Sequence, residues 1–379
     1  MSTDSDCAEL AGGRLDIDLA AIVANWRDLD RRSRPGRAAA VVKADAYGLG
    51  AARVVPALVA AGCETFFVAL PAEGAAIRPH AAGARIFVLE GAHAGSVGVL
   101  RGHGLIPALA SMDQVRLWAE KGGGAPCALQ VDTGMNRLGL DVDEAVRLAG
   151  DGGLCARLTI VHLMSHFACA DEPDDPLNRR QVETFRQAVA AFGDVESSLS
   201  NSAGVLGGGA FGHAITRPGI ALYGGEAVNG LANPMRPVVR LDARIVQVRS
   251  ARAGETVSYG AAHRLSRDSR IAIASVGYAD GYPRSGSGAG VPLRDAVGEG
   301  HAGFVGGHRA PLLGRVTMDL TCFDVTDVPE EALAGGRIEL IGPNRPLDDV
   351  ARACGTIGYE ILTGLGPRYR RRYPNESGH

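Results

Sequence analysis

A lysine placed directly after a run of small apolar residues is the first group in this chain that can do chemistry. The stretch AAAVVKADAYG sets Lys43 at the end of an apolar segment, with Tyr47 four residues further on. An ammonium that emerges from a protein interior is costly unless it has a role. The usual role is that of a Schiff-base former, because a desolvated amine sheds its proton and becomes a nucleophile. Four further blocks carry polar groups: DTGMNRLG with Arg137, SHFACAD with His166 and Asp171, SNSAG with Asn201 and Ser202, and RPGIALYG with Arg217, Gly219 and Ile220. Arg137 offers a planar fork that suits a carboxylate. The hydroxyls and backbone N–H groups of the last two blocks suit a phosphate. Taken singly, each has a plainer reading: His166 as a packed core histidine, Arg137 and Arg217 as rim ion pairs. Their joint placement is what matters, and that depends on the elements that carry them.

Between Arg14 and about Gly225, short runs rich in Val, Ile and Ala alternate with longer segments of helical periodicity, as repeated strand-helix units do. Expected strands are Ala38–Val42, Thr65–Ala69, Arg85–Leu89, Leu105–Leu109, Cys127–Val131, Leu158–Leu163, Glu196–Ser200 and His213–Thr216. Eight parallel strands predict a closed (β/α)8 barrel of TIM type. Helices are expected over Leu49–Ala60, Asp113–Lys121 and Asn178–Phe192. Active sites of such barrels are built from the loops at the C-terminal strand ends, and all five polar blocks fall there. After Asn229 the pattern changes to β-branched segments broken by turn signals, which predicts a mostly antiparallel β-domain. The expected division is a barrel over residues 10–230 and a β-domain over 231–379, with NGLANP near 229 to 234 as the joint. SGSGAG at 285 to 290 reads as a mobile loop, since Gly and Ser fill no core.

A chain of 379 residues is long enough for two cores. Its 39 Lys+Arg against 42 Asp+Glu recommend neither nucleic acid nor an anionic membrane as partner. The acidic N-terminus MSTDSDCAELAGG has no secretory pattern, and no stretch reads as a membrane span. Seven cysteines without a CxxC pair suit a reducing compartment, so the cytoplasm is expected. No metal site is called for.

The ordered blocks AVVKADAYGLGA, VDTGMNRLG, SHFACAD, SNSAG with RPGIALYG, VSYG with GYADGYPR, GRVTMDL and the closing IGYEILTGLGPRYRRRY resemble the alanine racemase family of barrel-type pyridoxal-phosphate (PLP) enzymes. The similarity runs from about Arg14 to Tyr373. It implies a cytoplasmic enzyme that interconverts L- and D-alanine, supplying D-alanine for peptidoglycan or catabolising it. By the resemblance, Lys43 carries PLP covalently and serves as the base on one face of the substrate. Tyr259 in VSYG is the base on the other face, contributed by the β-domain of a partner subunit, so a homodimer with shared active sites is implied. Arg217 faces the cofactor's ring nitrogen, and His166 bridges Arg217 and Tyr259. Tyr47, Ser202, Gly219, Ile220 and Tyr359, with Asn201, resemble the phosphate-holding set. Arg137 and the backbone at Met318 resemble the substrate-carboxylate site, and Asp171, Tyr278, Arg284, Arg315 and Asp319 the access corridor.

One position departs from the family pattern: Gln130 stands where many members have a lysine, frequently carbamylated, that orients the arginine here numbered 137. A neutral amide predicts a weaker hold on Arg137. Rival readings are a racemase of serine or of broader range, a PLP-homeostasis binding protein, which ends after the barrel, and a barrel-type PLP decarboxylase, whose usual signatures are missing.

Overall fold

The computed structural model describes residues 10–208, 213–289 and 301–374. The chain forms two compact units, one of residues 22–236 and one that joins residues 1–21 to 237–379.

In the first unit the strands Ala40–Val41, Thr65–Val68, Arg85–Val88, Ile106–Leu109, Pro126–Asp132, Thr159–Met164 and Glu196–Ser198 pair in parallel, each with the next. Ile215–Thr216 pairs in parallel with Arg37–Ala38, which runs into the first strand. The Arg217 N–H donates to the Ser200 carbonyl at 2.8 Å and links the seventh strand to the eighth. The ring of eight is thereby closed. TFFV and IPAL are buried along their whole length, as expected where helices cover one face and the barrel interior the other. The helix Met112–Lys121 starts where Ser111 Oγ accepts the Gln114 N–H, and it buries Val115 and Trp118. The helix Pro176–Phe192 is capped by Asp175, which accepts the Leu177 N–H at 2.8 Å, and it buries Gln181, Val182, Phe185 and Ala188 along one stripe. Ala51–Ala60 begins two residues later than its Ala/Leu/Val-rich composition predicts, because Gly50 before it holds φ 92°.

In the second unit, strands pair in the order Ser269–Ala274, Thr321–Asp324, His308–Leu313, Ala302–Val305, Arg337–Ile341, Val239–Ala251, Gly13–Ile17 and Arg370–Arg372. Val239–Ala251 also pairs with Ser269–Ala274, so the antiparallel pairings return on themselves. The leading strand Gly13–Ile17 lies antiparallel to Val239–Ala251 and parallel to Arg370–Arg372. The sequence reading starts the barrel at residue 10; the pairing sends these residues to the β-unit instead. GRLDI alternates buried and half-buried positions, and that pattern fits a one-sided sheet.

The SGSGAG segment also differs from its reading as a mobile loop over the residues described, with Gly290 outside them. Arg284–Gly286 forms a helical turn, and Ser287 is wholly buried. Its hydroxyl donates to the Arg284 carbonyl at 2.6 Å and accepts the Val316 N–H at 2.9 Å. A Cβ on Gly286 would fall 2.3 Å from the His301 ring, so the small residues here permit close packing.

Two histidines lie in the barrel wall. His162 Nε2 sits 2.6 Å from Ser198 Oγ and His213 Nδ1 2.8 Å from Ser197 Oγ. Burial, then the Arg217 charge, holds His162 well below the usual 6.5 and His213 at about 4. Between those values and 6.5 the unfolded chain binds protons that the folded one refuses. Stability is therefore complete above pH 6.5 and declines as pH falls below it. Each histidine adds up to about 1.4 kcal/mol per pH unit to that slope. Urea unfolding at pH 7.5 and pH 5.5 should show the loss, and His213→Asn should shrink it; an equal loss in the variant would count against this origin.

Candidate active site

The chain leaves the first barrel strand in an unusual conformation. Ala44, Asp45, Ala46 and Tyr47 hold φ of 51°, 54°, 55° and 56°, a left-handed turn of four residues that all carry a Cβ. Such a conformation costs roughly 1–2 kcal/mol per residue and persists only where surrounding bonds enforce it. Those bonds are present. Glu73 Oε1 accepts the Ala44 N–H at 2.7 Å, while its other oxygen takes the N–H groups of Ala69 and Leu70 at 2.7 and 3.1 Å. Asp45 Oδ1 accepts the Ala51 N–H at 2.7 Å. The turn sets Lys43 at its start and swings Tyr47 inward, its ring 4.7 Å from that of Tyr223. Tyr223 in turn donates to the Val41 carbonyl at 2.9 Å. A Cβ at residue 219 would lie 2.2 Å from the Tyr47 hydroxyl, which is why glycine stands there.

Arg217 is the most deeply set charge of the cluster, 3% exposed. One terminal nitrogen donates to Ser198 Oγ; the other donates to the Ser165 carbonyl at 2.5 Å and lies 3.2 Å from His166 Nδ1. Burial moves its pKa down to about 9, so it stays charged at neutrality, with no carboxylate of the described residues acting on it. His166 answers to burial first, then to Arg217, Arg137 and Lys43, and is pushed to about 3. A neutral imidazole that accepts from Arg217 at Nδ1 carries its proton on Nε2, so it presents a donor on its far side. Lys43 is lowered by burial and then by Arg137, while Glu73 works the other way.

Ser202 Oγ accepts the N–H groups of Gly219 and Ala221 at 2.8 and 3.3 Å. Its own proton remains to be donated to an anion. Asn201 caps the following helix, accepting the Gly204 N–H at 2.9 Å. Asp171 binds the linker: its carbonyl accepts the Asn229 N–H at 2.9 Å. Gln130, 6% exposed, donates to the Leu138 carbonyl at 2.9 Å and so holds the backbone beside Arg137 rather than its guanidinium.

In the β-unit, Tyr259 is 72% exposed and sits between Ser258 at φ 70° and Ala261 at φ 49°, conformations that again mark stored backbone strain. Ser258 Oγ accepts the Arg315 N–H at 3.2 Å and lies 3.1 Å from the Arg315 carbonyl, and Gly260 leaves room for the Arg315 guanidinium. Arg284 lies over the Tyr278 ring at 5.9 Å. The Tyr278 and Ala279 N–H groups donate to the Thr317 and Met318 carbonyls, both at 2.9 Å, and Asp319 accepts from Arg368 at 2.9 Å. Tyr359, in the first turn of the helix Gly358–Gly364, is exposed.

The barrel unit thus gathers Lys43, Tyr47, Arg137, His166, Ser202, Arg217, Gly219 and Ile220 at its C-terminal strand ends, and the β-unit gathers Tyr259 with Arg315, and Tyr278 with Arg284 and Met318. Sequence reasoning passed over Glu73, Tyr223, Ser198 and Gln181. Gln181 donates to the His166 carbonyl at 2.9 Å and to Thr133 Oγ1 at 3.2 Å from the middle of a helix, where nothing local marks it.

Comparison with known proteins agrees across both units. The family model for the alanine racemase N-terminal domain matches residues 17–227, and that for the C-terminal domain residues 238–373. A biosynthetic alanine racemase of Agrobacterium fabrum is 56% identical over 98% of this chain and 96% of its own length. An alanine racemase of Rhizobium meliloti is 53% identical over 96% of this chain and 97% of its own. Among solved structures, the alanine racemase of Bartonella henselae with covalently bound pyridoxal phosphate superposes with a TM-score of 0.88 at 36% identity, over 96% of this chain and 99% of that one. With two domains matched in order and the left-handed lysine turn, buried arginine and neutral histidine in one place, the chain belongs to the alanine racemase family.

Proposed function

We propose that this protein is a PLP-dependent racemase that interconverts L- and D-alanine. The observation that carries the reading is the cationic cluster of Lys43, Arg137 and Arg217 around a neutral His166. The donor set fits PLP and a carboxylate substrate: Arg217 is buried with no opposing carboxylate among the described residues, Ser202 has a hydroxyl proton to donate, and burial makes the Lys43 ammonium easier to deprotonate. Lys43 would hold the cofactor, with Tyr47, Asn201, Ser202, Gly219, Ile220 and Tyr359 around its phosphate and Arg217 at its ring nitrogen. In this structure the Gly219 N–H is spent on Ser202, which leaves that loop's contribution to the Ser202 hydroxyl and the Ile220 backbone. When bound, PLP supplies a conjugated sink for the electron pair left at the substrate α-carbon.

The remaining work falls to the chain. Inverting a centre needs a proton taken at one face and another delivered at the opposite face, so two bases must flank it. Lys43 Nζ, with its ammonium form disfavoured, holds the first proton. Tyr259 Oη holds the second and would come from a partner subunit; a phenol 72% exposed on strained backbone supports that reading. The His166 Nε2–H would donate to the phenolate of that tyrosine and keep it ready to take a proton. Arg217 offers donors only and gives up no proton, so a ring nitrogen beside it stays unprotonated. Arg137 would grip the substrate carboxylate with the backbone at Met318, while Asp171, Tyr278, Arg284, Arg315 and Asp319 would line the approach.

Chiral analysis of single enantiomers of alanine, serine and lysine with the PLP-loaded protein tests the function, and alanine should racemise fastest. Lys43→Ala and Tyr259→Phe should each lose about 100-fold or more in kcat; an active Lys43→Ala protein would overturn the covalent assignment. Arg217→Glu should raise the yield of pyruvate per racemisation event, since a carboxyl at that position can share a proton with the ring nitrogen, and an unchanged yield would count against the restraint ascribed to Arg217. Gln130→Lys should lower KM in bicarbonate, with identical kinetics with and without it retiring the idea that Arg137 is loosely held.

A further inference from the structure

Arg217 Nη1 donates to the hydroxyl of Ser198, a fully buried residue. A guanidinium has no lone pair with which to accept, so the direction of that bond is fixed. Ser198 Oγ accepts there and has one proton of its own to place. His162 Nε2 lies 2.6 Å from the same oxygen. The arrangement that places the Ser198 proton makes Nε2 the acceptor and leaves the single ring proton of His162 on Nδ1. Nδ1 has no hydrogen-bond partner among the described residues and lies 4.0 Å from Glu196 Oε2, a carboxylate that Arg85 engages at 2.5 Å. The parallel register sets His162 beside Glu196 on the adjoining strand, two residues before Ser198. The polar chain therefore runs from the guanidinium back through the barrel wall toward the opposite end of the strands.

We propose that Ser198 and His162 are positioning residues for Arg217, a one-way hydrogen-bond chain that aims its fork and holds it as a donor. The proposal rests on the reading that Arg217 faces the cofactor's ring nitrogen. A hydroxyl that donates is a better acceptor, so the Ser198–His162 bond strengthens the one from Arg217. With Nη1 tied to Ser198 and Nη2 to the Ser165 carbonyl and His166, the guanidinium has one orientation, and its remaining N–H directions are set by the barrel wall. Neither His162 nor Ser198 would touch substrate or cofactor.

The first test is 15N NMR of the PLP-loaded, histidine-labelled protein, with His162→Gln used to assign the resonance. The expected result is a neutral ring protonated at Nδ1; a proton on Nε2 overturns the chain. In the second, Ser198→Ala and His162→Leu should each lower kcat about tenfold with KM within about twofold, and shift the absorption band of bound PLP. The double variant should lose little more than either alone. His162→Gln keeps an acceptor for the Ser198 proton and should stay near wild type. Ser198→Ala that leaves kcat and band unchanged, while Arg217→Lys alters both, overturns the proposal. If Arg217→Lys alters neither, the placement of Arg217 at the ring nitrogen fails instead, and the His162 tautomer alone decides whether the chain exists.

Discussion

A guanidinium buried in a barrel, with no carboxylate beside it among the described residues, is the constraint around which this site is organised. Removing such a charge from water is expensive, and dipoles must replace the lost hydration. Here they are the Ser165 carbonyl, the Ser198 hydroxyl and the His166 imidazole. The same uncompensated charge acts back on them. It helps keep His162, His166 and His213 neutral, and His166 must be neutral to accept at one nitrogen and donate from the other. A carboxylate partner would ease the desolvation cost and spoil the arrangement, since His166 would then take up a proton more readily.

Pre-organisation at the lysine has a different origin. The left-handed turn after the first strand is unfavourable residue by residue, and the Glu73 carboxylate holds it by joining the first and second strand-end loops. Backbone strain of this kind is compatible with a stable barrel because the strands beneath are continuously buried. The cost is met by the core, and the geometry is delivered at the rim.

Much of this was legible in the residues. The barrel strands announce themselves because parallel strands covered on both faces become unbroken apolar runs, and Lys43 stands out by ending one of them. The ordered blocks named the family and with it the cofactor. What could not be read was convergence across register. Ser198 and His162 lie on two strands and Arg217 directly follows a third, and only the pairing of the strands places their polar atoms together. Glu73 reads as an ordinary acidic residue in the first turn of a helix. SGSGAG was misjudged because small residues serve close packing as well as mobility, and Ser287 bonds on both sides decided for packing. The segment GRLDI gave no local sign of whether it served the barrel or the β-unit; its alternation suits any half-buried strand, and only its two neighbours decide.

That leading strand has a consequence for how the protein is made. Gly13–Ile17 precedes the barrel in the chain, yet it ends between Val239–Ala251 and Arg370–Arg372, which both follow the barrel. One edge can pair only once Val239–Ala251 has been made, and the other only once Arg370–Arg372 has. The β-unit can reach its final hydrogen bonding only after residue 372 has been made, and segments that precede and follow the barrel in the chain are then sewn into adjacent rows of one sheet.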